Sequence, residues 1–183
     1  FIDHALKHGD SLVGLTKKQI VAFHWVERKE SWDDLALLKG VPAISTETSA
    51  LRDAIQKAGE GDYADQQDTW FKAENALADT RLIGDLCIAA FFGADKDKAR
   101  EALRKQYGSK LEAWRANEAN RHDLEGIVEE LRGGEKPVPP MHWEIEFPEV
   151  FGRENPGFDA MVGNPPFLGG RRISTAFGNS YKG

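Results

Sequence analysis

The chain has 183 residues, 40% of them hydrophobic, with five Trp and ten Phe, which is long enough to bury a core without staples and too apolar for a disordered segment. Thirty Asp and Glu against twenty-four Lys and Arg give a formal charge of −6, so no global positive field draws the chain to nucleic acid and any DNA contact must come from a local patch. The single cysteine, Cys87, excludes an internal disulfide framework and a cysteine-based zinc site, and points to a reducing or indifferent compartment such as the cytoplasm.

The opening residues 1–14 are short and mixed and read as a strand end followed by a turn. Thr16 and Gln19 have capping-box spacing ahead of Ile20, Val21, Phe23 and Trp25, so a helix is expected to start there. Gly40, Pro42 and the Ser/Thr-rich run at 45–49 break it. A long helix is expected from Asp62 to Phe92, where Trp70, Ala73, Leu77, Gly84, Ile88 and Phe91 trace one stripe, thickened by Phe71, Leu82 and Leu86. A shorter charged helix, Asp95 to Tyr107, should end at Gly108, with Ser109 capping the next; that one carries Leu111, Trp114, Leu124, Ile127, Val128 and Leu131 and stops at Gly133-Gly134. Such stripes must bury against each other, which predicts an antiparallel helical hairpin or small bundle. Glu135 to Pro140 reads as a stiff linker marking a boundary, Trp143 to Phe147 alternates with period two as a strand would, and Phe158 to Val162 reads as a short strand. The longest apolar run, about residues 86–93, is far short of the ~20 needed to span a bilayer. Residues 1–4 carry no signal-peptide pattern. With Phe at position 1 and no terminating element at Gly183, an internal piece of a longer protein is expected.

The chemistry-bearing signal is Asn164-Pro165-Pro166-Phe167, directly after the apolar run. Two prolines fix the turn and push the residue before them into an extended conformation. Such a loop suits a flipped-out base: the Asn164 side-chain oxygen and the Pro165 carbonyl can accept hydrogens from an exocyclic amine while the Phe167 ring stacks on the base. An ordinary Pro-rich turn is the plain alternative. Arg171 and Arg172, after Gly169-Gly170, are candidate contacts to phosphates flanking the base; a solvated surface loop is the other reading.

The segment Gly157-Phe-Asp-Ala-Met-Val-Gly-Asn-Pro-Pro-Phe167, preceded by Met141-His-Trp-Glu-Ile-Glu-Phe-Pro-Glu-Val-Phe151, resembles the catalytic-motif region of DNA adenine-N6 methyltransferases of the large restriction-modification and phage-defence type. Leu6-Lys-His-Gly-Asp-Ser-Leu-Val-Gly14 resembles that family's earlier strand-end segment, and these large enzymes often carry a helical block between the two. The resemblance implies S-adenosylmethionine as cofactor, double-stranded DNA as partner together with the remaining domains of the same polypeptide, Asp10 accepting from the cofactor's adenine, Asn164 and Pro165 orienting the target amine, Pro166 setting the loop and Phe167 clamping the flipped adenine. Adenine over cytosine N4 rests on the Asn-with-Phe form of the motif. The Gly-rich cofactor loop has no match; Gly59-Glu-Gly61 follows no strand and reads as a turn.

The remaining candidates are weaker. Cys87, between Leu86 and Ile88, reads as a packed core thiol. His4 and His8 have i,i+4 spacing but no third ligand, His122 reads as surface, His142 as ordering a strand entry, and Glu144 with Glu146 lack the rest of a nuclease metal site. The expected fold is therefore mainly α: a methyltransferase core segment (1–15), a helical hairpin or bundle insert (16–134) and a second core segment with the catalytic loop (135–183), the flanks being pieces of a Rossmann-like α/β core. The charge excess sits in the middle, where Thr16 to Arg132 holds eighteen basic against twenty-two acidic residues. A helical interaction or scaffold domain of a larger DNA-processing protein is the alternative function.

Overall fold

The computed structural model describes residues 6–27, 48, 50, 51 and 63–163. Helix α1 (Lys17–Val21) starts at the expected capping box: the Thr16 hydroxyl accepts the Gln19 N–H at 3.2 Å and the Gln19 side chain accepts the Thr16 N–H at 2.8 Å, which satisfies two backbone donors that a helix start leaves open. The helix lasts only 5 residues. Phe23 then turns left-handed, with φ 45°, a conformation that costs a residue with a Cβ about 1–2 kcal/mol. The Phe23 ring is fully buried, and Arg104 Nη1 donates to its carbonyl at 3.2 Å; these contacts offset the strain.

Helix α2 (Tyr63–Phe92) is one uninterrupted run of 30 residues, as the apolar stripe predicts. In its first half Ala73 and Leu77 are buried while Phe71 is exposed, the pattern of a surface helix. From 82 to 90 every residue is buried, so the helix becomes a core element wrapped on all sides.

Helix α3 (Asp97–Ala116) corrects the expected stop at Gly108. Gly108 lies buried within the helix, and the Ser109 hydroxyl donates back to the Lys105 carbonyl at 3.3 Å instead of capping a new helix. A helical glycine costs about 1 kcal/mol, whereas Leu111 and Trp114, one and two turns on, are each almost fully buried, worth about 1.5–3 kcal/mol apiece. Packing therefore overrides the local stop signal. A 3₁₀ turn at Glu118–Asn120, capped by Asn117, leads into α4 (Arg121–Gly133), which ends at Gly133-Gly134 as expected. Arg121 pairs with Asp79 and Arg132 with Asp85, so α4 runs in the same direction as α2, with α3 returning between them. α2 packs on both α3 and α4, an up-down-up bundle that meets the mainly α expectation.

After α4 the chain turns back along the N-terminal segment rather than forming a free linker. The Val138 N–H bonds Leu131 O, Asp10 N–H bonds Pro139 O and Met141 N–H bonds Val13 O, each at 2.7 Å, and Asp10 with Pro140 forms an isolated parallel bridge. The strand expected at Trp143–Phe147 is instead a one-turn helix, α5 (Trp143–Glu146), followed by α6 (Pro148–Phe151). Trp143 and Phe147 stack at 5.9 Å, an i,i+4 contact that only a helical turn makes, and the neighbours Ile145 and Glu146 both bury inward. Phe158 to Val162 forms no strand among the described residues, and Val162 is fully exposed. Among the described residues no helix is long and apolar enough to cross a membrane.

Gly84 shows how tightly α2 meets the returning chain. A Cβ there would lie 2.5 Å from Nε2 of the His142 ring, and that ring is itself buried and bonded at both nitrogens. Gly84→Ala is expected to destabilise the protein by about 1–3 kcal/mol, the scale of overpacking a filled core, measurable as a lower midpoint in urea unfolding; an unchanged midpoint would show that the ring has room to move.

Candidate functional site

Two segments more than 120 residues apart in sequence form the walls of one cleft. On one side Asp10 closes a tight turn, its Oδ1 accepting the Leu12 N–H at 2.9 Å. On the other, three contacts lock the chain around Trp143 to that turn: the Trp143 indole N–H donates to the Ser11 carbonyl at 3.0 Å, His142 Nδ1 accepts the Leu15 N–H at 2.9 Å, and Glu144 Oε2 accepts the Lys17 N–H at 2.9 Å. The open cleft between them has a volume of about 850 Å³, with Leu12, Leu15 and Gln19 on one wall and Trp143, Phe158 and Gly163 on the other, within the size range of small-molecule sites.

The far wall is held by aromatic packing. The Phe158 ring meets those of Trp143, Phe147 and Phe151 at 5.5, 5.3 and 5.8 Å, all edge-on, the favoured geometry for ring pairs. Gly157, at φ +117°, makes the turn that presents Phe158, a backbone position that L side chains rarely adopt. Arg153 bonds the Gly157 carbonyl and pairs with Asp159 at 3.0 Å. The described part of this wall reaches Gly163, the residue before Asn164 in the sequence. Asn164, Pro165, Pro166, Phe167, Arg171 and Arg172 lie outside the described residues, as do His4 and the Gly59-Glu-Gly61 turn.

The model of the Eco57I restriction-modification methylase family matches residues 89–183. The chain belongs to that family. No curated protein and no solved structure matches it. The matched stretch takes in α3, α4, the chain that returns along the N-terminal segment, the Trp143 wall and the Asn164 motif, so the methylase assignment covers one cleft wall directly, while Asp10 to Gln19 reach the cleft only through the fold.

Among the other candidates, Asp10 stands beside the cleft, and among the described residues its Oδ2 has no hydrogen-bond partner, so a carboxylate oxygen is available to accept from an amine. Cys87 is buried in the hydrophobic core as expected; burial, opposed by Arg104 and reinforced by Glu101, pushes its thiol up to about 12. His8 and His122 are exposed. No group of three or more His, Cys, Asp or Glu among the described residues could hold a metal. Glu144 and Glu146, weighed as metal ligands, serve the scaffold instead: Glu144 holds the Lys17 N–H, and Glu146 takes a two-pronged bond from Arg81 at 2.6 and 2.9 Å.

Sequence reasoning missed the buried ions that hold the walls. Asp85 receives Arg132 Nε at 2.7 Å and Nη2 at 3.2 Å, and meets His142 Nε2 at 3.2 Å. The available signal was a lone acid in the most apolar window of the chain, Ile83-Gly-Asp-Leu-Cys-Ile88, where a carboxylate is buried only if paired. A second group alternates charge around the N-terminal segment: Lys7 bonds Glu74 at 2.7 Å and approaches Glu146 at 3.5 Å, and Arg81 bonds Glu74 at 2.8 Å as well as Glu146. Burial alone would raise the Glu74 carboxyl, but Arg81 and Lys7 outweigh it and hold it below its ordinary value of 4.5. Such a lowered carboxylate contributes stability that is present above its unfolded value and lost as pH falls through the folded one. The protein should therefore unfold more readily as pH drops below about 4.5, and Glu74→Gln, less stable at pH 7, should lose less over that window. Thermal melts from pH 7 to pH 3 test this; parallel pH profiles for the two proteins would count against the network.

Proposed function

We propose that the chain is the cleft-bearing part of an S-adenosylmethionine-dependent DNA methyltransferase that methylates the N6 amine of a flipped-out adenine in double-stranded DNA, within a restriction-modification or related defence system. The observation that carries this reading is the joining of the Asp10 turn to the Trp143 wall around one cleft lined by Gly163, the residue that precedes Asn164 in the sequence. In this reading residues 1–15 and 135–183 are pieces of a Rossmann-like core and residues 16–134 a helical insert.

S-adenosylmethionine would supply the methyl group. The open carboxylate oxygen of Asp10 suits the amine of its adenine, since that amine offers hydrogens and the carboxylate only accepts. Asn164, through its side-chain oxygen, and Pro165, through its carbonyl, would take the two hydrogens of the target amine and leave its lone pair facing the methyl carbon; positioning of this kind is the main contribution a protein makes to a direct displacement. Phe167 would stack on the flipped base and Pro166 would fix the turn. Arg171 and Arg172 would neutralise flanking phosphates, a local patch on an acidic chain. No thiol nucleophile is required, in keeping with a Cys87 thiol buried and held protonated.

A role of the helical bundle in holding DNA or a neighbouring domain is compatible with this chemistry, and the observation that favours it is that α2, α3 and α4 pack on one another as a bundle, around a core that Leu15, Ile20, Phe23 and Ile145 also join. In a methylase carrying this chain whole, Asn164→Ala should lower methyl incorporation into duplex DNA by at least about 100-fold, the scale of losing one preorganised hydrogen-bonding group, with DNA binding and folding kept. Retained activity would sink the catalytic assignment, and recovery of N4-methylcytosine instead of N6-methyladenine on nucleoside analysis would overturn the adenine target. The 183 residues alone, which hold no Gly-rich cofactor turn after a strand, should transfer no methyl group; measurable transfer by them would contradict that division of labour.

A further inference from the structure

His142 is almost wholly buried, at 1% exposure, yet it is linked to residues of both cleft walls. Its Nδ1 accepts the Leu15 N–H at 2.9 Å, so that nitrogen carries no proton and Nε2–H is the donor to Asp85 Oδ1 at 3.2 Å. Leu15 lines one wall, and Trp143, the next residue after His142, lines the other. Behind the ring, Asp85 is clamped by Arg132, whose Nη2 also bonds the Pro140 carbonyl at 3.3 Å. Gly84 leaves the space in which the ring lies. A polar relay from α4 through α2 thus ends on the two walls of the cleft.

Well-packed apolar residues would stabilise this position at least as well as a buried ion network; what the network adds is a fixed geometry, because each hydrogen bond admits one arrangement. We propose that His142 is a positioning residue for methyl transfer: held by Asp85 and Arg132, it fixes the spacing of the Leu15 and Trp143 walls and hence of the groups seated between them. This rests on the methyltransferase reading above.

Two variants split the ring. In His142→Gln the amide nitrogen lies near the place of Nε2 and keeps the bond to Asp85 while losing the acceptor for Leu15. In His142→Asn the amide oxygen lies near the place of Nδ1 and keeps Leu15 while losing Asp85. Leu124→Ala, which opens a cavity at a buried position of α4 that does not line the cleft, serves as a control for lost stability. Assays use a methylase carrying this chain whole, at a temperature where circular dichroism shows every variant folded. Both His142 variants should lower kcat about 10-fold or more, since misplacing groups by about 1 Å can cost 100-fold, with KM for duplex DNA within about twofold because phosphate contacts dominate its affinity; Leu124→Ala should keep kcat per folded molecule. Should either His142 variant fail to fold, Asp85→Asn, of the same shape, carries the same expectation. Full kcat in the His142 variants, or a loss matched by Leu124→Ala, overturns the proposal. Asn164→Ala, run alongside, separates the failures: if it is inactive while the His142 variants are fully active, only the positioning role falls; if it is active, the methyltransferase reading falls first.

Discussion

A carboxylate in the middle of the longest helix must find partners, because a buried unpaired charge costs several kcal/mol. Asp85, 2% exposed, finds them in Arg132 from α4 and His142 from the returning chain, and much of the architecture follows from where those partners must stand. α4 has to lie alongside α2 so that the Arg132 guanidinium can reach across. The segment after α4 has to double back so that His142 can descend onto Gly84. Once His142 is there, its other nitrogen faces the Leu15 N–H, and the N-terminal turn is drawn to the same place. The Lys7, Glu74, Arg81 and Glu146 network repeats the arrangement farther toward the start of α2, so the N-terminal segment is tied at two points.

The helical part of this fold was legible in the sequence because local signals and packing agree there. The Thr16 and Gln19 box, the apolar run through α2 and the Gly133-Gly134 stop each appear as read. Where the two levels conflict, packing wins. Gly108 and Ser109 spell a helix end, but Leu111 and Trp114 bury on the same helix and carry it through. Trp143 to Phe147 alternates like a strand, yet short apolar runs fit either period, and the Trp143–Phe147 stack and the inward Ile145 and Glu146 select the helical turn. Asp10 and Gly163 could be placed near a site by motif. The walls between them could not, since Leu12, Leu15, Trp143 and Phe158 are ordinary apolar residues until the fold brings them together, and His142 differs from a surface histidine only through contacts with residues 57 and 127 positions away.

Methylation of an exocyclic amine, the reaction proposed above, asks little of a protein by way of reactive groups and a great deal by way of geometry. The cleft fits that demand: Phe158 is gripped by three rings, Trp143 is pinned at its indole nitrogen, and the opposing wall hangs on backbone hydrogen bonds. Its rim carries the exposed apolar side chains of Leu12, Met161 and Val162. Most of the acidic excess of the chain lies in its middle, between Thr16 and Arg132; Arg171 and Arg172, close to Asn164 in sequence, supply positive charge on an otherwise near-neutral stretch.

The family match opens at residue 89, inside α2, four positions beyond Asp85. Recognisable ancestry and mechanical integrity therefore have different borders in this molecule. A piece trimmed to the matched stretch would cut a continuous helix, strip Arg132 and His142 of the anion that unites them, and discard Leu15 and the turn that faces Trp143. Its remaining sequence would still look like a methylase, but the cleft would have a single side. For dissecting this protein, the natural unit takes in Lys7 and the Asp10 turn as well as the matched stretch, and is defined by its buried charges.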